Sequence, residues 1–531
     1  MAVDRLRLLL FVLAPLCFGA LALASGMDAN WDLRNYHYYN AWALLSGRLD
    51  RDLLVSQIPS FYNPLLDVPF FLAAQVLPAR LIAFLLGAIA GLNLNLLTLL
   101  GERLLTIEPR GRRLAVAWLL AVVGGSGAVA LSELGTVFYD NILSLGFFAS
   151  LLLLLRGRED LAGDATGRAL MRAAVAGLPV GLAFGLKQST VMFPIACDLA
   201  LLLTLSAGWR RNVVAAFGFG LGVLAATAAG GGAWMWHLWA SYGNPVFPQF
   251  NQIFQSPWAL VADYRDTQYL TLSPWQKLVF PALFSADSRL AGEIEFRDFR
   301  ILAAFLLLPA AALAKACRKV PAEGLTDRQA GALVMTAAAA AYLVWLKMFG
   351  IYRYLTPLEM LAPLLVFLAV DRLPAGRRTR LGLALAVVAG LLATTRPGVW
   401  IRVPFSQRAV EVSLPAIADP AHTAVILAGH EPLSFLLPAF PPEMRFWRID
   451  STFTNPDQPE VRFNRLMAER IREHQGPLLA LFIPTERQDV TARLGQLGLT
   501  IEDSLCRPVT SPIGAADYAL CPLAGRSHPG R

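Results

Sequence analysis

Charge is scarce in this chain. Only 16% of its 531 residues are Asp, Glu, Lys or Arg, while 56% are hydrophobic, a balance that excludes an ordinary soluble globular protein. Residues 396–531 lack a Gly-rich phosphate loop, a nucleophile elbow and any metal-ligand spacing, so that part is expected to cap the rest or to contact an acceptor. No internal repeat is evident, and ionisable residues do not gather at the middle of apolar stretches, which argues against a transporter or flippase of lipid-linked saccharide. Arginine is sparse in the longest polar loops, which argues against an O-antigen polymerase or ligase. Five cysteines say little by number.

What the chain has instead is long apolar runs. About 20 residues cross a ~30 Å hydrocarbon core as a helix, and eleven segments approach or exceed that length: 6–24, 79–105, 114–131, 137–155, 170–186, 188–205, 212–236, 299–314, 330–349, 352–370 and 380–395. The first follows Asp4, Arg5 and Arg7 without a small-residue cleavage site and reads as a retained span. The run 68–78 ends at Pro78 and is too short to cross, so it is expected to lie along or dip into the membrane surface.

Lys and Arg mark loops that stay in the cytoplasm. They gather in alternate connections, at Arg103, Arg110, Arg112 and Arg113; Arg156, Arg158, Arg168 and Arg172; Arg210 and Arg211; Lys315, Arg318, Lys319 and Arg328; and Arg372, Arg377, Arg378 and Arg380. The loop 25–67 has only Arg34, Arg48 and Arg51. This register predicts a polytopic α-helical protein of a bacterial-type inner membrane with about eleven transmembrane helices in residues 1–395. The N-terminus is then cytoplasmic, the long outer loops are 25–67 and 239–298, and residues 396–531 form an extracytoplasmic domain. The net charge of +8 belongs mostly to the inner loops and calls for no nucleic-acid partner.

In the tail, β-like runs (424–427, 478–483, 517–520) alternate with helix-like ones (463–474, 487–497), predicting a small α/β domain with a partly parallel sheet. Cys506 and Cys521 share this domain, and an oxidising compartment would pair them as a disulfide. Trp234, Trp236 and Trp239 fit an interfacial aromatic belt.

The most chemically loaded segment is Met27-Asp28-Ala29-Asn30-Trp31-Asp32-Leu33-Arg34-Asn35-Tyr36-His37-Tyr38-Tyr39-Asn40. A carboxylate at a membrane interface is partly desolvated and can serve as a general base; Asp28 and Asp32 could equally cap a following helix. His37 has no second His or Cys at ligand spacing, so hydrogen bonding suits it better than metal binding. Lys347 suits snorkelling to the interface, and Glu359, inside a span, is a functional candidate.

The run Asp32, Tyr36, Tyr38, Ala41, Leu44, Leu45, Gly47, Arg48, followed by Tyr62-Asn63-Pro64-Leu65, resembles the first outer loop of membrane glycosyltransferases of the GT-C superfold. Glu133 and Asp140, Gly185-Leu186-Lys187, and Tyr352-Arg353-Tyr354-Leu355-x-Pro357 are each similar to further elements of that superfold, in matching order. The Asp-Glu pair of many members is absent, since Leu33 follows Asp32, and Tyr242-Gly243-Asn244-Pro245-Val246-Phe247-Pro248 matches none of its motifs. The resemblance implies inverting transfer of a sugar from a polyprenyl-phosphate donor to a lipid, glycan or protein acceptor. In that reading Asp32, or else Asp28, is the base; Lys187 and Arg353 bind the donor phosphate; and Asn35, His37, Asn63 and Asp140 line the substrate site. No cofactor is required, and a divalent metal is compatible but not indicated.

Overall fold

The structure, a computed structural model, describes residues 2–163, 165–317, 319–321, 323–451, 453, 457–458, 460–514 and 517–525. Arg318, among the bases assigned to inner loops, lies outside them. Helix covers all eleven apolar segments. Among the described residues, seven helices are long and apolar enough to cross a membrane: Ala2–Ser25, Ala79–Leu104, Asp140–Gly163, Thr166–Leu186, Trp209–Tyr242, Arg328–Met348 and Tyr352–Val370. The other four fall short for local reasons. Met192–Thr204 has 13 residues, about 20 Å of helix at 1.5 Å each. Arg110–Gly125 and Arg377–Thr394 begin on clustered arginines, and Arg300–Ala316 has 17 residues.

Two compact units emerge. One comprises Met1–Ser25, Ala83–Gly232 and Asp266–Trp400; the other comprises Gly26–Ile82, Ala233–Arg265 and Ile401–Arg531. The tail therefore does not fold by itself from residue 396, because much of the first polar loop and part of the second belong to the same unit.

In the first unit, the helix Tyr352–Val370 is 94% buried over its most apolar window, as expected of a helix surrounded by others. The helices Thr166–Leu186 and Trp209–Thr227 approach closely through small residues. A methyl group added at Gly177, Gly181 or Gly222 would meet the facing backbone, the arrangement by which membrane helices gain packing without a hydrophobic driving force.

In the second unit, Arg445–Arg448, Ala424–Leu427 and Leu478–Phe482 run parallel in that order. Tyr518–Ala524 then adds antiparallel to Leu478–Phe482 and pairs with Thr500–Ile501 and Arg507–Val509. The two inner strands, AVIL and LLALF, are almost wholly buried, which is why they read as unbroken apolar runs. Helix Arg462–Glu473 turns Phe463, Met467 and Ile471, four residues apart, onto the sheet core. The first loop contributes an edge: Leu53 N donates to Phe446 O at 2.9 Å and Arg448 N to Leu53 O at 2.9 Å. Cys506 and Cys521 are disulfide-bonded with Cα atoms 4.1 Å apart. Of the three tryptophans read as an aromatic belt, Trp236 and Trp239 are exposed, whereas Trp234 is buried in the second unit's core with Nε1 donating to Phe61 O at 2.9 Å.

Candidate functional site

The first loop enters the second unit through a short strand, Met27–Asp28, antiparallel to Arg402–Val403. The helical stretch that follows is capped by Asn30, not by either aspartate: its Oδ1 accepts from Leu33 N at 2.8 Å. Asp28 holds that cap in place, its Oδ1 accepting from Asn30 N at 3.0 Å and from Asn30 Nδ2 at 2.7 Å. Asp32 makes no capping bond and accepts from the Tyr36 hydroxyl at 3.1 Å, one turn on. Asp28 is buried and Asp32 half-exposed, so Asp32 is the more accessible carboxylate.

His37 Nδ1 lies 2.6 Å from Asp67 Oδ1, both side chains buried, with the Tyr36 ring 4.0 Å from the imidazole. A carboxylate on one ring nitrogen fixes the imidazole's orientation and raises the basicity of the other. Asn35 is occupied within the unit, donating to Ser56 O at 3.1 Å and accepting from Gln57 Nε2 at 3.4 Å, and has no exposed surface. Asn63 caps the short turn Pro64–Leu66 by accepting from Leu65 N at 3.1 Å and remains partly exposed. Gly47 (φ +63°) ends the helix Tyr38–Leu45 in a Schellman turn, with Arg48 N donating back to Ala43 O at 2.8 Å.

The first unit brings together three residues widely separated in sequence. Asp140 opens the helix Asp140–Gly163, Lys187 follows the helix Thr166–Leu186, and Arg353 sits in the tight turn Tyr352–Leu355 before Pro357 starts the next helix. Lys187 Nζ donates to Asp140 Oδ1 at 2.9 Å and to Phe138 O at 2.8 Å. Arg353 Nη1 reaches Asp140 Oδ2 at 3.3 Å, while its Nε and Nη2 grip Glu293 at 2.9 and 3.3 Å. The guanidinium lies 4.3 Å from the Phe138 ring centre. Glu293 is the accessible partner, its side chain 32% exposed against 4% for Asp140.

Glu133, beside this cluster, is buried, and among the described residues neither carboxylate oxygen finds a hydrogen-bond partner. Burial, reinforced by the Asp140 charge, pushes its carboxyl well above the usual carboxylate range. Because the folded state holds the carboxyl proton more tightly than the unfolded chain, its contribution to stability is present at acid pH and lost as pH rises through the raised value. Glu133→Gln is therefore expected to flatten the alkaline fall in melting temperature of the detergent-purified protein. An unchanged pH profile would show that Glu133 is ionised in the fold.

Glu359 is engaged structurally: its Oε1 accepts from Val129 N at 3.1 Å and Ala130 N at 3.4 Å at the start of the short helix Ala128–Ser132. A side chain at Gly127 would collide with it. Asp67 and Glu293 carried no sequence signal, each lying 30 or more positions from its partner. Among the described residues no three His, Cys, Asp or Glu are grouped to hold a metal ion. No family model, curated protein or solved structure matches the chain.

Proposed function

We propose that this chain is a membrane glycosyltransferase of the GT-C kind, moving a sugar from a polyprenyl-phosphate carrier to a lipid, glycan or protein acceptor on the outer side of a bacterial-type inner membrane. This reading takes all eleven apolar helices as membrane segments, with the N-terminus inside and residues 396–531 outside. The observation that supports it most is the meeting of Lys187 and Arg353, from separate helix ends, on the single carboxylate of Asp140.

A carrier phosphate exchanges for Glu293, taking the planar fork of Arg353 with two oxygens while Lys187 adds a point charge. An acceptor hydroxyl attacks the anomeric carbon, the bond from that carbon to the phosphate oxygen breaks, and the electron pair leaves on the polyprenyl phosphate. The two cations stabilise the charge that develops there. The hydroxyl proton passes to Asp32, and the anomeric configuration inverts. Asp28, engaged with Asn30, positions the loop. His37, oriented by Asp67, and the partly exposed Asn63 contact the acceptor. The chemistry requires no metal.

The test is transfer of radiolabelled sugar from a panel of polyprenyl-phosphate sugars into lipid, glycan and protein fractions. Asp32→Asn is expected to lower transfer by about 10²–10⁴-fold, the usual contribution of a positioned base, with Asp28→Asn affected less. Equal activity of both variants and wild type would rule out the assigned base. Failure of the wild type to consume any donor would favour a flippase or a scaffold.

A further inference from the structure

The second unit contains a cavity of about 310 Å³. Its floor is a closed ion pair. Arg48 donates to Asp52 through Nε at 2.7 Å and Nη2 at 2.8 Å, and to the carbonyls of Pro442 and Met444 at 2.6 Å each. Asp52 also accepts from the Tyr39 hydroxyl at 2.7 Å and from Phe446 N at 3.1 Å. Every strong group of the floor is thus engaged, which makes it rigid and electrically neutral.

The walls are aromatic and set at right angles. Tyr242 meets Phe61 edge-on (centroids 5.3 Å, 83°) and Trp258 edge-on (5.7 Å, 83°), forming a corner of ring faces. At the rim, Arg470 is anchored by donating to Arg51 O at 2.9 Å. The neighbouring Asp50 carboxylate is exposed, and no hydrogen bond or ion pair engages it among the described residues.

The charged lining, Arg48 and Arg470 against Asp50 and Asp52, sums to zero and gives neither an anion nor a cation a net attraction. Perpendicular ring faces suit a ligand with flat C–H surfaces, and an exposed carboxylate suits one with paired hydroxyls. The volume lies at the small end of ligand pockets, which span about 300–1,000 Å³. We propose that this cavity is a binding site for a neutral pyranose saccharide of one or two rings, held by its C–H face on Tyr242 and Trp258 and by hydroxyls on Asp50. The site does not depend on the transferase reading.

Saturation-transfer NMR on the full chain in detergent, with glucose, mannose, galactose, rhamnose, maltose and lactose each at about 10 mM, tests it at the weak affinity typical of such contacts. Transfer from at least one neutral sugar is expected. Its affinity should fall about tenfold in Trp258→Ala and in Asp50→Asn, the scale of one lost ring contact or charge-assisted hydrogen bond. Asp50 is exposed, so Asp50→Asn leaves the fold intact and remains informative if Trp258→Ala misfolds. The proposal is overturned if no sugar shows transfer to wild type, if Asp50→Asn binds as wild type does, or if glucuronate or glucosamine binds in preference to the neutral sugars.

Discussion

Arg353→Met is expected to lower sugar transfer by about 10²–10³-fold, the loss seen when one preorganised stabiliser of a developing charge is removed, while the protein stays folded. The fold tolerates the change because Asp140 keeps its bond to Lys187 and Glu293, 32% exposed, can return to water. Arg353→Lys should recover little, since a single ammonium cannot present two parallel donors. Glu293→Gln should do the opposite. The Glu293 carboxylate occupies the guanidinium fork that the carrier phosphate would use, so donor binding carries the cost of displacing it. Neutralising that competitor should lower KM for the donor by about tenfold with kcat little changed, a split that separates competition from chemistry. A raised KM in Glu293→Gln would show instead that Glu293 holds Arg353 in position. Unimpaired transfer by Arg353→Met would remove the cation pair from the mechanism.

The second large effect concerns stability. Arg300→Met is expected to destabilise the first unit by about 3–5 kcal/mol, the usual consequence of breaking one side of a buried ion pair. Arg300 has no exposed surface. It pairs with Asp298, donates to Val123 O at 3.2 and 2.8 Å and to Ser126 O at 3.1 Å, and reaches Thr395 Oγ1 at 2.7 Å. It thereby satisfies carbonyls at the end of the helix Arg110–Gly125, where no further turn exists to do so. Asp298 in turn accepts from Ala128 N at 2.9 Å. Removing the guanidinium leaves the buried Asp298 carboxylate without its cation and takes the donor from Ser126 O, while Val123 O keeps only the Ser126 hydroxyl at 2.9 Å. The double variant Asp298→Asn/Arg300→Met should recover part of the loss, because it removes the uncompensated charge. Yield and melting temperature in detergent are the readout; a melting temperature within a few degrees of wild type in Arg300→Met would mean that water replaces the guanidinium.

Patterns that depend on neighbours in sequence were legible. Apolar length marked the seven long helices, and the β-like runs 424–427 and 478–483 marked two of the strands. The meeting of Asp140, Lys187 and Arg353 was visible only as three separate motifs. What escaped was held by long-range partners. Arg300 carried no signal as the keystone of a helix end, because the carbonyls it holds lie 174 and 177 positions away. Leu53 joins a strand through backbone groups that every residue carries, so no side chain announces it. Asn30 displaced the aspartates as the helix cap because Asp28 folds back on it, a preference that spacing cannot distinguish.

The pairing of Leu53 and Arg48 with the strand Arg445–Arg448 and its approach has a consequence for biosynthesis. The Arg48 fork waits for Pro442, 394 positions later. At 5–20 residues per second, a ribosome takes about 20–80 s to make that stretch. Throughout that interval the emerging N-terminal loop lacks the edge it will join and is open to wrong partners or proteases, so a nascent chain arrested before residue 442 should show a cleavable loop that completion of the chain protects.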